Sequence, residues 1–139
     1  MPFIDFKQAY DCISRHKLWG HLRSCRMPDH ILSTLKDLYH ADEYTLLHGH
    51  KAASVQPSFG VKQGCPLSPL LLAIYLNDID SIADGVKGAL TGTPNFLVTH
   101  VLFADDLCLM SSDPNNVQTM LNKLRAYARR KSHCQYTKV

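Results

Sequence analysis

Apolar and polar positions follow two different periods along the chain, and the changes of period mark the predicted elements. The short run Phe3-Ile4-Asp5-Phe6 is typical of a buried strand that carries one carboxylate. Apolar residues then recur at helical spacing from about Gln8 to Cys25, and again from Pro28-Asp29 to near His40. Because a helix follows the strand, Asp5 is expected at the rim of a sheet.

The middle of the chain predicts a hairpin, a turn and a buried helix. Tyr44 to Leu47 and Ala53 to Phe59 bracket a polar stretch, which favours a β-hairpin. Residues 60–69 contain two glycines and two prolines, and Ser68-Pro69 is a helix start with Ser68 as the N-cap. The helix that follows, Leu70 to Ile79, is apolar nearly all round and is therefore expected to be buried.

The last third predicts a second hairpin and a basic helix. The apolar runs Phe96 to Phe103 and Leu107 to Met110 are separated by Ala104-Asp105-Asp106, which indicates a tight hairpin with two acids at its tip. Asp113-Pro114 is a helix start. Residues 1–113 contain nine Lys or Arg against twelve Asp or Glu, whereas residues 114–139 contain six basic residues and no acidic ones. The basic segment is either a solvated helix face or a patch that suits a phosphate backbone.

Length and composition favour one globular unit. The chain has 139 residues, of which 45% are hydrophobic and 19% charged, and this balance is typical of a protein with a buried core. No apolar stretch approaches the roughly 18 residues of a membrane span, and the N-terminus lacks the features of a secretory signal. We therefore expect a cytoplasmic or nuclear protein, not secreted and without a membrane partner. The five cysteines lack CxxC spacing and are expected to be reduced thiols.

Acidic residues are the first candidates for chemistry. Adjacent carboxylates at a hairpin tip repel each other unless a cation neutralises them. If the first strand lies beside the second hairpin, Asp5, Asp105 and Asp106 converge on one rim. Such oxygen ligands favour Mg²⁺, with Mn²⁺ as an alternative, and three acids suffice to hold two metals for phosphoryl transfer. A satisfied turn and cap is the structural alternative.

Three motifs in the correct order resemble those of a known family. Residues Phe3 to Asp11, Gly60 to Leu71 and Phe103 to Asp106 resemble motifs A, B and C of reverse transcriptases, and the second block looks most like the non-LTR (LINE-type) retrotransposon branch. The resemblance implies one partial reverse transcriptase domain over residues 1–139. Its fold would be α+β, a polymerase palm in which a small antiparallel sheet carries the acids and is backed by helices.

The resemblance also implies roles for individual residues. Asp5 and Asp105 would bridge the two Mg²⁺ ions, and Asp106 would complete the site. Tyr10 would exclude a ribose 2′-hydroxyl, or else be a core aromatic. Gln63 and Gly64 would contact the incoming nucleotide and the template, or else form an ordinary turn. The implied partners are an RNA template, a DNA primer and deoxynucleoside triphosphates.

Departures from the family pattern limit the expected activity. The chain begins at motif A and ends soon after the helix that follows motif C, so the fingers segment and the thumb are expected to be missing. The family pattern would bring the motif D lysine near the position of Tyr136, so this motif is degraded or out of register, and Lys138 lies two positions further on. The chain is therefore expected to be inactive in isolation, and to bind the missing polymerase segments or to self-associate. The alternative function is a non-catalytic retrotransposon remnant or a reused nucleic-acid-binding module.

Overall fold

Strands and helices are mixed along the chain, which is α+β as expected. The computed structural model describes residues 1–48, 51–90, 92, 96–131 and 135–138. In chain order the elements are β1 (Phe3–Lys7), α1 (Arg15–Ser24), α2 (Asp29–His40), β2 (Tyr44–His48), β3 (Lys51–Val55), α3 (Ser68–Tyr75), a 3₁₀ helix (Ile79–Ala83), β4 (Ala89–Leu90), β5 (Leu97–Val98), β6 (His100–Phe103), β7 (Asp106–Leu109), α4 (Pro114–Lys131) and β8 (Gln135–Lys138).

A four-stranded antiparallel sheet holds the two ends of the described chain together. Its strand order is β6-β7-β1-β8, so β1 lies between the second hairpin and the last strand. The expectation that the first strand lies beside that hairpin is confirmed. Two smaller antiparallel pairs, β2 with β3 and β4 with β5, lie outside this sheet.

One face of the sheet forms the floor of the core. Ile4 and Phe6 of β1 and Leu107 and Leu109 of β7 are buried, whereas the residues that alternate with them point to the other face. Each such side chain contributes about 1.5–3 kcal/mol through its burial. The helices cover this face with buried side chains that include Leu18, Leu22, Leu71, Leu72, Met120 and Leu124. Asp5 therefore lies on the face of the sheet that points away from the core.

The first helix begins later than its apolar pattern predicts. It starts at Arg15 rather than near Gln8, because Gln8 has a φ of +51° and turns the chain directly after β1. The segment before the helix is bonded to a distant loop instead. The Gly60 N–H donates to the Ile13 carbonyl at 2.8 Å, and the Val61 N–H donates to the Tyr10 carbonyl at 2.9 Å.

The helix after the glycine turn also differs from expectation. It runs from Ser68 to Tyr75, and the chain then changes to the 3₁₀ helix. Ser68 is not the N-cap, since its hydroxyl donates to the Lys62 carbonyl and Leu67 occupies the capping position. The helix is buried on one side only, because the Leu70 side chain is 57% exposed.

The remaining expectations are met in part. The run predicted from Phe96 to Phe103 is divided between β5 and β6, while Asp113 caps α4 by accepting a hydrogen bond from the Asn115 N–H at 2.8 Å. Among the described cysteines Cys25, Cys65 and Cys108 are free, but Cys12 is disulfide-bonded, so the reduced-thiol prediction is wrong there. No helix of the described residues has the length and apolar character needed to cross a bilayer.

Candidate active site

Two acids lie directly opposite each other on the outer face of the sheet. Asp5 of β1 is the register partner of Asp106 at the start of β7. The Phe6 N–H donates to the Asp105 carbonyl at 3.3 Å, one residue beyond this pair on each strand. That bonding pattern makes Asp5 and Asp106 a non-hydrogen-bonded pair, the class in which facing Cα atoms are only about 4.5 Å apart.

The third acid, Asp105, lies in the hairpin turn between β6 and β7. Phe103 and Asp106 form the last pair of this hairpin, so the two-residue loop is Ala104-Asp105. Ala104 has a φ of +52° whereas Asp105 does not have a positive φ, which is the sign pattern of a type II′ turn. The resemblance names Asp5 and Asp105 as the bridging pair, whereas the strand register places Asp106, not Asp105, opposite Asp5. The tip of the hairpin therefore contains one acid, Asp105, rather than two, because Asp106 is already paired within the sheet.

The opposed carboxylates have no compensating charge among the described residues. None of the three acids accepts a hydrogen bond through its side chain or forms an ion pair there, and Asp5 and Asp105 are only partly exposed. Like charges directly opposite each other destabilise a sheet. No group of three or more His, Cys, Asp or Glu residues is gathered as a metal site in the described part of the chain. The structure thus brings two of the three acids together and leaves the third beside them.

A pocket of about 440 Å³ lies where the predicted nucleotide residues meet. Tyr10, Gln63 and Gly64 all line it, and Cys65, Pro66, Ser68 and Pro69 complete the wall. Gly64 has a φ of +79°, although an added Cβ would meet nothing within 4 Å. The backbone conformation, rather than space, therefore favours glycine there. Tyr10 is half-buried and packs against the core, so the pocket and core-aromatic readings of this residue coexist.

Charged residues that the motifs do not assign support the loop beneath this pocket. The buried Arg15 donates to the Gly60 carbonyl at 2.9 Å and to the Tyr39 carbonyl at 2.8 Å. It also forms an ion pair with Asp42 at 3.0 Å, and Asp42 pairs with Lys62 at 2.8 Å. This network anchors the turn between β3 and α3 to α1 and α2. Arg15 falls within the helix predicted from Gln8 to Cys25, and no sequence signal marks it as the centre of a network.

Comparison with known proteins gives the decisive observation. Residues 1–135 match the sequence model of a protein family described as reverse transcriptase (RNA-dependent DNA polymerase). The chain belongs to the reverse transcriptase family. The matched range contains residues 3–11, 60–71 and 103–106, which carry the resemblance.

Curated relatives place this reverse transcriptase chain in the non-LTR retrotransposon branch. It is 29% identical over 130 residues to a retrovirus-related Pol polyprotein from type-1 retrotransposable element R2 of Popillia japonica, a match that covers 91% of this chain and 21% of the relative. It is 30% identical over 122 residues to the polyprotein of type-2 element R2DM of Drosophila melanogaster, covering 86% of the chain and 11% of the relative. The chain thus spans only a small part of these relatives.

A second charged cluster in the reverse transcriptase chain lies away from the acids. Lys131, buried at the end of α4, contacts Asp78 at 2.8 Å and His21 Nε2 at 2.7 Å, and the Tyr127 hydroxyl donates to Asp78 at 2.8 Å. Burial lowers the pKa of Lys131, and burial together with Lys131 lowers the pKa of His21. Burial raises the pKa of Asp78, but the hydrogen bonds from Lys131 and Tyr127 outweigh it and lower that pKa. Because the Lys131 ammonium can only donate hydrogen bonds, His21 Nε2 must accept in this contact, and His21 must be neutral.

Proposed function

We propose that this chain is the palm of an RNA-directed DNA polymerase and carries its acidic catalytic site. The observation that carries the proposal is the opposed Asp5–Asp106 pair, which has no compensating charge among the described residues and lies next to Asp105. An antiparallel sheet that presents acids on one face and packs helices on the other is the expected palm arrangement. Family membership supports the same function.

The donor set fits a divalent metal. Carboxylate oxygens are hard ligands, and Mg²⁺ is held typically by one or two carboxylates together with substrate phosphates. Asp5 and Asp106 would supply the paired carboxylates, and Asp105 would complete the site from the turn. Two Mg²⁺ ions, or Mn²⁺ in their place, would activate a primer 3′-hydroxyl and stabilise the leaving pyrophosphate. The chain's own part is to hold the three acids on rigid backbone, two in the sheet and one in a two-residue turn.

The pocket beside α3 is proposed as the nucleotide site. Tyr10 presents a ring that is half-buried against the core, which suits it to block a 2′-hydroxyl. Gln63 supplies an amide and Gly64 supplies exposed backbone at the pocket wall. The deoxynucleoside triphosphate would bind here, with its phosphates toward the acids, while RNA template and DNA primer lie across the outer face of the sheet.

Self-association or binding of further polymerase segments is also proposed. The outer face of the sheet exposes Phe3, Val101 and Phe103, and Phe103 is 80% exposed. Phe3 and Val101 are both register partners of Cys108 and lie in one cross-strand row, whereas Phe103 is the partner of Asp106 in the row of the acids. Contiguous exposed apolar surface of this kind marks an interaction site or an aggregation hazard.

Primer extension by a chimaeric polyprotein tests the proposed activity. The segment of the Popillia japonica relative that matches this chain would be replaced by the chain, with the unaltered relative as the positive control. We expect extension of a DNA primer on an RNA template with Mg²⁺, and its loss in Asp5→Asn. Asp37→Asn, the same change on the exposed face of α2, is the matched control and should retain activity.

Two outcomes would contradict the proposal. A folded chimaera that binds template and primer but does not extend them favours the alternative, a non-catalytic nucleic-acid-binding remnant. If the chimaera with Asp5→Asn still extends the primer, the acid pair is not the catalytic site.

A further inference from the structure

Gln63 makes a contact that the motifs do not assign. Its side-chain Nε2 donates to both carboxylate oxygens of Asp11, at 3.0 Å and 3.2 Å. Asp11 does not line the nucleotide pocket, whereas Gln63 does. The contact therefore links a pocket residue to a residue outside the pocket.

The chemistry of the two side chains determines how the Gln63 amide is turned. An ionised carboxylate can only accept hydrogen bonds, so the NH₂ group of Gln63 must face Asp11. The amide carbonyl of Gln63 then points away from Asp11. An exposed glutamine without such a partner samples both amide orientations and several rotamers.

The backbone around Asp11 is held firmly enough to act as a reference point. The Asp11 N–H donates to the Gln8 carbonyl at 2.9 Å, within the turn that follows β1. A Cβ added at Gly60 would lie 3.3 Å from the Asp11 Cα, so the two segments approach each other backbone to backbone. The 2.9 Å bond from the Val61 N–H to the Tyr10 carbonyl ties the same segments together. Asp11 thus has a fixed position relative to the start of the Gln63 turn.

We propose that Asp11 is a positioning residue, which orients the Gln63 amide so that its carbonyl is presented to the nucleotide in the pocket. The inference rests on the proposed nucleotide site. Asp11 touches no reacting atom and acts only through Gln63. Both residues are exposed, so removal of the contact leaves the core intact.

The experiment compares Asp11→Asn, Asp11→Ala, Gln63→Ala and the Asp11→Ala/Gln63→Ala double variant of the full chain. Binding of dATP with Mg²⁺ is measured by calorimetry, and the side-chain amide protons of Gln63 are followed by NMR. Asp11→Asn keeps the shape of the side chain but can also donate, so it removes the constraint on amide orientation. Asp37→Asn is again the matched control.

We expect dATP to bind several-fold more weakly to Asp11→Ala and to Gln63→Ala, and the double variant to be no weaker than Gln63→Ala alone. The Gln63 amide protons should shift in both Asp11 variants and stay unchanged in Asp37→Asn. A purely structural role of Asp11 would give additive losses of binding and would overturn the inference. Unchanged dATP binding in both Asp11 variants would also overturn it while leaving the proposed function intact. A wild-type chain that binds no dATP contradicts the nucleotide site and the inference together.

Discussion

Asp5 and Asp106 are directly opposed across two antiparallel strands, in the pair class that brings side chains closest together. Both are acids, and neither has a charged partner among the described residues. Sheet stability alone does not favour this arrangement, since like charges directly opposite each other are destabilising. A cation bound by Asp5 and Asp106, as proposed above, would offset this repulsion.

Asp106→Asn should therefore change stability in opposite directions without and with metal. Without metal, the loss of a like-charge pair should stabilise the fold by a few tenths of a kcal/mol, within the range of about 0.2–1 kcal/mol for cross-strand pairs. With excess Mg²⁺ or Mn²⁺, the wild type should gain stability by linkage, and the variant should gain less. Chemical denaturation in EDTA and in metal measures both effects, with Asp37→Asn as the control. Equal metal stabilisation of wild type and variant would contradict a metal at this pair.

Ala104→Gly should stabilise the hairpin that carries the acids. Ala104 has a φ of +52°, a left-handed conformation that costs a residue with a Cβ about 1–2 kcal/mol. Glycine removes that strain but loses about 0.5–1 kcal/mol of conformational entropy, so the net gain should be up to about 1 kcal/mol. The control Ala126→Gly, at an exposed position inside α4, should instead destabilise by about 1 kcal/mol. Thermal unfolding measures both, and a loss of stability in Ala104→Gly would show that the turn is not strained.

Tyr10→Ala should weaken the discrimination against ribonucleotides in the chimaeric polymerase. Removal of the ring opens the pocket wall where a 2′-hydroxyl would clash, so the ratio of ribonucleotide to deoxyribonucleotide incorporation should rise by roughly tenfold, or about 1.4 kcal/mol. Tyr10→Phe keeps the ring and should keep the ratio. Single-nucleotide primer extension gives both values, and an unchanged ratio in Tyr10→Ala would show that Tyr10 is only a core aromatic.

His21 should make the fold less stable in mild acid. Burial and the neighbouring Lys131 lower the pKa of His21 below its ordinary value of 6.5, so the unfolded chain takes up a proton that the folded chain refuses. The contribution of neutral His21 to the free energy of unfolding is therefore complete above about pH 6.5. It is lost as the pH falls through the lowered pKa that His21 has in the folded chain. His21→Gln keeps an acceptor for Lys131 and should remove this part of the pH dependence. Urea denaturation between pH 7 and pH 4.5 is the measurement, and His16→Gln, on the same helix but exposed, should retain the wild-type slope.

The 139-residue chain by itself should not extend a primer, although it contains the three acids. Phosphoryl transfer depends mainly on positioning and electrostatic stabilisation, and the acids with their metals supply only part of these. The assay uses an RNA template, a DNA primer and Mg²⁺ with the purified chain, and Asp105→Asn serves as its control. Extension by the chain that disappears in Asp105→Asn would show that this segment is sufficient.

The local sequence pattern was enough to predict several elements of this protein. The strand from Phe3, the hairpin around Ala104-Asp105 and the helix after Asp113-Pro114 follow from hydrophobic period and capping chemistry, which act between residues close in sequence. The α+β class was implied by the family resemblance. The order of the three motifs was enough to indicate the family, because that information is carried by residue identity. The three candidate acids were chosen from the chemistry of carboxylates at a hairpin tip, and Tyr10, Gln63 and Gly64 from the resemblance. The roles of all six stay predictions.

Tertiary structure alone decided how distant segments meet. Sequence could not show that Asp106, rather than Asp105, faces Asp5, because strand register depends on the whole β1–β7 pairing. It also could not show that residues 8–14 leave the helix to bond with residues 58–61, since those hydrogen bonds join segments about fifty positions apart. The partners of Arg15 and Asp11 could not be predicted from the sequence for the same reason. Their roles arise from long-range backbone contacts, which local periodicity does not encode.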